Sequence, residues 1–259
     1  MLTELKGGFA HHAYLVTPGV VFKEVPEEAR KREVYAYTHI PFAPDLYEET
    51  STGVFMSFME GENRLHDQLS ITSTVEVLTA HIMHEAGKQL AIIHNHHRLS
   101  LPTTYHTDHK KRIERIINRS QDFLNRHDVN EQVLRTSLFE TYDSEEIERH
   151  GLTFNHNDYW LNNFYGMVHG QQFKFTGIID WERSGMASPY DDLSVVKLSI
   201  DRYFPDYMSN FWHGYGEKPS PRAYQHFAVL KALDFLTEGV EPPPAFSSTL
   251  VSYLQETIA

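Results

Sequence analysis

Apolar positions in the first sixty residues fall in short β-type runs, at 13–17 and 20–25, on either side of Pro18-Gly19, a turn-favouring dipeptide; the spacing predicts a hairpin. Residues 27–38 read as a helix. It follows Pro26 and carries Glu27 and Glu28 in its first turn, where negative charge suits the positive helix end. A further apolar run, 54–59, stops at Glu60-Gly61 and reads as a strand leaving a small sheet. The period then changes: 74–94 places Val77, Leu78, Ile82, Leu90 and Ile93 at spacings near 3.6, so a long, mostly buried helix is expected. Helices are also predicted at 110–125, 131–140, 191–199, 207–215, 222–238 and 247–257. The runs 164–168 and 173–179 flank His169-Gly170 as a second hairpin. The pattern implies an α+β chain in two parts, a small β-sheet lobe with one helix over residues 1–58 and a larger, mostly helical lobe over 59–259. Residues 100–150 read as a helical segment inserted in the second part.

Composition narrows the function classes. A chain of 259 residues can bury a sizeable core. A formal net charge of −12 argues against a protein that holds nucleic acid by neutralising phosphates; it would suit a cationic substrate, and solubility alone also accounts for it. Cysteine is absent, which removes disulfides, thiolate catalysis and Cys-ligated zinc. Residues 1–8 lack the apolar core of a secretory signal and no apolar run is long enough to span a bilayer, so a soluble, cytoplasmic protein without a membrane partner is expected.

The chemistry concentrates in His156-Asn157-Asp158-Tyr159-Trp160-Leu161-Asn162-Asn163, followed by Ile179-Asp180-Trp181-Glu182. An aspartate, an asparagine five positions on, and a second aspartate at the end of a hairpin strand meet the needs of phosphoryl transfer. The first carboxylate orients an acceptor hydroxyl. The asparagine and the second aspartate offer hard oxygen ligands to magnesium. Asp158 is the candidate positioning residue or base, and Asn163 and Asp180 the candidate metal ligands; turn hydrogen bonds alone would also account for Asp and Asn in such a loop. Upstream, Lys23 puts a cation in an apolar strand, where an unpaired ammonium is costly. Glu33, ten positions on, can pair with it, with Glu24, Glu27 and Glu28 as rivals; an edge-strand lysine that discourages aggregation is the other explanation.

The two motifs resemble the HxDxxxxN…IDW pattern of the aminoglycoside phosphotransferase and choline kinase superfamily. The resemblance implies the bilobal protein-kinase-like fold and transfer of the γ-phosphoryl group of ATP or GTP, with Mg2+, to a small hydroxylated acceptor such as an aminoglycoside or a choline-like alcohol. It also implies that Lys23 touches the nucleotide phosphates with Glu33 holding it, and that the main chain of Ser57, Phe58 and Met59 meets the purine. His156 then supports the catalytic loop, and Asp192, in the Ser188–Leu193 segment, braces it. Lys6-Gly7-Gly8 would stand in for the phosphate-covering loop. Leu90-Ala91-Ile92-Ile93-His94 resembles the LAxLH helix end of the same superfamily. Glu182, directly after the metal segment, is the candidate acid for an ammonium group of the acceptor.

Two other readings compete. A catalytically silent kinase-fold nucleotide-binding protein would keep the fold without the chemistry. A histidine-dependent metal hydrolase draws on the cluster His81, His84, His94, His96, His97, His106 and His109, which lacks an HExxH.

Overall fold

A computed structural model describes residues 3–5, 12–60, 75–169, 172–237 and 251–256. The chain separates into two compact units, each assembled from three stretches. The first comprises Met1–His97, Phe154–Met186 and Phe204–Glu217; the second comprises Arg98–Thr153, Ala187–Tyr203 and Lys218–Ala259.

The first unit holds a five-stranded antiparallel sheet. Its strands are β1 (Thr3–Glu4), β2 (Ala13–Thr17), β3 (Val20–Glu24), β4 (Leu46–Glu49) and β5 (Gly53–Ser57), in the order β1-β2-β3-β5-β4. The 13–17 and 20–25 runs are β2 and β3, joined at the turn as the sequence indicates, and the 54–59 run is β5, begun and ended earlier. In β3, side chains alternate between faces, so Val21 and Lys23 share the buried one. Across the register, Val21 faces Met56 and Lys23 faces Val54 on β5. Helix α1 (Glu27–His39) buries Glu33, Ala36 and Tyr37, one stripe at i, i+3 and i+4. Glu33 is thus an acid on an apolar stripe, and a partner must explain it.

The long helix is α2 (Val75–His96), with Ile82, Met83, Ala86, Leu90 and Ile93 fully buried. Each such side chain contributes on the order of 2 kcal/mol by leaving water. It packs on a later helix of the same unit, Met208–Tyr215. Glycines make the crossing close: a Cβ at Gly87 would lie 2.0 Å from the Phe211 carbonyl oxygen, and one at Gly214 would lie 1.9 Å from that of His84. The gap at Gly87 in the apolar pattern is therefore where another backbone passes.

The second unit contains a two-residue strand β6 (Arg98–Leu99), paired through Arg98–Thr153 and Leu99–Leu152 with the start of β7 (Leu152–Asn155). Its helices are α3 (Tyr105–Arg119), α4 (Gln121–Arg126), α5 (Glu131–Thr141) and α6 (Ser144–His150). The 110–125 helix expected from the sequence is two helices, interrupted at Ser120, whose hydroxyl bonds back to the Ile116 carbonyl. The acidic run 143–148 folds as α6, because Asp143 caps it by accepting the Glu146 amide hydrogen. The chain returns to this unit as α7 (Pro189–Val196), capped by Ser188 with proline in the first turn, and continues through a π-helical turn at Lys197–Asp201. With Met208–Tyr215 numbered α8, the last long helix is α9 (Pro221–Thr237), and residues 251–256 are helical.

Polar groups that leave water in this unit, wholly or in part, do so in pairs. Arg112 bonds Asp191 at 2.9 Å and lies 3.6 Å from Asp234. His226 donates from Nδ1 to the Leu138 carbonyl, and its Nε2 lies 2.9 Å from Nε2 of His109, which therefore donates to it. No described helix is long and apolar enough to cross a membrane.

Candidate active site

The site lies within the first unit and is built on four pieces of chain: β3, α1, the 156–163 loop and the segment after the second hairpin. That hairpin is β8 (Phe164–His169) and β9 (Gln172–Ile178). Lys23, 8% exposed, donates from its ammonium to Glu33 Oε1 at 2.6 Å, to Asp180 Oδ1 at 2.6 Å and to Glu182 Oε2 at 3.2 Å. Burial alone would drive the amine toward neutrality; the three carboxylates outweigh it and hold its pKa above the ordinary lysine value. Of the four possible partners for Lys23, the bonded one is Glu33, which is fully buried.

Asp180 occupies a left-handed backbone position, φ 68° and ψ 57°, at the start of a short 3-10 turn, Trp181–Arg183. Trp181 beneath it is fully buried and donates from Nε1 to the Ile178 carbonyl at 2.8 Å. His156 is buried against that indole, with ring centroids 4.5 Å apart. Its Nε2 lies 2.9 Å from the Ile179 carbonyl, and its Nδ1 lies 3.2 Å from the Asp158 amide nitrogen. A main-chain N–H can only donate, so Nδ1 accepts and Nε2 carries the proton. His156 thereby ties the loop to the residue preceding Asp180.

The loop itself is closed by its own polar groups. Trp160 N–H bonds the Asp158 carbonyl at 2.8 Å, and Asn163 N–H bonds the Trp160 carbonyl at 2.9 Å. The Asn163 carbonyl accepts from Ile179 N–H at 3.0 Å. Asn163 Nδ2 donates to the Asp158 carbonyl at 2.9 Å and to Asp158 Oδ2 at 3.3 Å, while Trp160 Nε1 donates to Asp158 Oδ1 at 2.9 Å. An unbroken series of contacts thus runs from Lys23 through Asp180 and Ile179 to Asn163 and Asp158.

The oxygens of Glu33, Asp180 and Glu182 lie within 4.8 Å of one another, the metal-type grouping found among the described residues. Carboxylate oxygens are hard donors that suit Mg2+. Asn163 turns its nitrogen to Asp158, which leaves its carbonyl oxygen as a further hard donor.

At the end of β5, Ser57 N–H bonds the Asp45 carbonyl and Phe58 N–H bonds the Gly19 carbonyl. Of the three residues named for the purine, only Met59 keeps an amide uncommitted among the described residues. Asp192 lies in the second unit, fully buried in the first turn of α7. The Lys6–His11 glycine segment lies outside the described residues. Two features escaped the sequence reading: Glu182 bonding Lys23, and Trp160 bonding Asp158. The spacing of Glu182 to Asp180 does not say which cation it meets, and nothing in the sequence marks the second.

The profile of the phosphotransferase enzyme family matches residues 4–227. Among solved structures, the ADP-bound aminoglycoside phosphotransferase APH(2'')-Ib is similar with a TM-score of 0.67 at 15% identity, over 99% of this chain and 92% of that one. The GDP and kanamycin complex of APH(2'')-IIIa gives 0.68 at 15% identity, over 99% and 92%. An ethanolamine kinase from Plasmodium vivax gives 0.59 at 14%, over 100% and 81%. No curated protein sequence matches significantly. These superpositions establish the kinase-like fold that the motifs imply.

Proposed function

The chain belongs to the phosphotransferase enzyme family and is a small-molecule kinase; we propose that it moves the γ-phosphoryl group of ATP or GTP to a hydroxyl of a small amine-bearing molecule, in the cytoplasm. The observation that carries this reading is the connected network from Lys23 to Asp158, which supplies a cation, two metal-type oxygens and a hydroxyl-orienting carboxylate.

In this reading Lys23 leaves Asp180 to meet the nucleotide phosphates and Glu33 keeps the ammonium in place. Asp180 and Asn163 would hold Mg2+, with Glu182 beside them. The ion, when bound, neutralises the charge of the phosphate oxygens. Asp158 accepts a hydrogen bond from the acceptor hydroxyl and directs its oxygen at the γ-phosphorus. The new bond forms between that oxygen and phosphorus while the bond to the β,γ-bridging oxygen breaks; the nucleoside diphosphate leaves and the hydroxyl proton passes to Asp158 and on to solvent. Met59 offers a main-chain amide for the purine. His156 and Trp181 fix the loop. Asp192 serves as a support in the second unit.

The acceptor class draws on the net charge of −12 and on the similar structures, one bound to kanamycin and another an ethanolamine kinase. A panel of hydroxylated amines, including aminoglycosides, choline and ethanolamine, assayed for coupled ADP or GDP formation tests it. Turnover with one class identifies the acceptor. Absence of nucleoside diphosphate with every compound, together with no magnesium-dependent thermal stabilisation by ATP or GTP, would overturn the reading.

A further inference from the structure

We propose that Trp160 is a positioning residue for the transfer: its indole N–H, acting with the Asn163 side-chain amide, holds the Asp158 carboxylate in the orientation that receives the acceptor hydroxyl. The inference deepens the phosphotransfer reading and rests on it.

A carboxylate has about four lone-pair positions, two on each oxygen. Here Oδ1 takes the Trp160 Nε1 hydrogen at 2.9 Å and Oδ2 takes an Asn163 Nδ2 hydrogen at 3.3 Å. The terminal torsion of an aspartate is broad and roughly two-fold, so a donor at only one oxygen leaves the plane loosely set. Donors at both oxygens define it. The indole is itself anchored. Trp160 N–H and C=O are both used inside the loop, by Asp158 and Asn163, so the ring hangs from a fixed piece of backbone. Trp160 is half-buried, unlike Trp181, which is fully buried and spends its N–H on a main-chain carbonyl. Hydrogen bonds that include a charged group are roughly twice as strong as neutral ones, which suits a clamp on a carboxylate.

The test separates donor from bulk. The imidazole of W160H overlays the pyrrole half of the indole, with its Nε2–H where Trp160 carries Nε1–H, and loses the benzo ring. The ring of W160F keeps apolar bulk and loses the donor. With magnesium, ATP and kanamycin or ethanolamine, W160F is expected to lower kcat about ten-fold at unchanged KM for ATP, which corresponds to ~1.4 kcal/mol of transition-state stabilisation. W160H is expected to recover most of the loss. A side chain that matters only for packing gives the opposite order, and W160F at or above W160H overturns the role. A second readout needs no acceptor: among the three indole N–H signals of nitrogen-15-labelled protein, the one that W160F deletes shifts and exchanges faster with water in D158A, while that of Trp212 stays. An unmoved signal overturns the contact. No turnover by the wild type with any acceptor removes the phosphotransfer reading instead, and the indole signal shows which of the two has failed.

Discussion

Lys23 carries a charge on the inner face of a strand, and three carboxylates make that burial tolerable. Removing the ammonium leaves the fully buried Glu33 uncompensated, so Lys23→Met is expected to cost about 3 kcal/mol of stability and to lower the melting temperature measurably even without nucleotide. Asp158→Ala should keep nucleotide-dependent stabilisation while abolishing transfer; equal turnover would refute its assignment. Asp180 is better changed to Asn than to Ala, because its backbone is left-handed and Asn tolerates that region. Asp180→Asn is expected to weaken magnesium-nucleotide binding, read by calorimetry. The Lys23–Glu33 pairing was legible because a lone cation in an apolar strand and an acid on an apolar helix stripe each demand a partner. The Glu182 bond was not, since an acid beside a metal segment can turn toward either substrate or lysine.

The α2–α8 crossing is set by two backbones in direct approach. Gly87→Ala gains roughly 1 kcal/mol in helix propensity yet meets a carbonyl oxygen at 2.0 Å, so net destabilisation by thermal melting is expected, and likewise for Gly214→Ala. In the second unit, burial pushes the imidazoles down, His109 to about 4 and His226 to about 3. Both are depressed below the unfolded value near 6.5, so the unfolded chain binds more protons between these limits. Stability is full above about pH 6.5 and falls as pH drops toward about 4 and then 3; a melting temperature that is flat with pH over that window would contradict the buried pair. The strongly periodic elements were readable in the sequence, and the weak edges were not. β1 and β4 are short and largely exposed, so neither shows alternation. The break at Ser120 escaped notice because a hydroxyl bonding back to the helix leaves no mark in the hydrophobic pattern.

At the scale of the whole chain, the −12 charge predicts that a cationic acceptor gains on-rate from the general field. Its kcat/KM should fall as salt rises from 0.05 to ~0.5 M, whereas that of a neutral alcohol should hold; equal salt dependence for the two would remove the electrostatic argument. The family was legible because four fixed positions in one motif pair are specific. The division into compact units was not, because each gathers three separated stretches and no change of composition marks the joins.

Lys23 has a further consequence for the order of loading. With its ammonium seated among the acids of Glu33, Asp180 and Glu182, the resting protein already carries its own counter-ion there. A bare divalent cation must evict that ammonium with nothing to receive it, while a triphosphate brings both the cation and a new berth for the lysine. Magnesium alone is therefore expected to leave the melting curve where it is, and magnesium with nucleotide to move it upward.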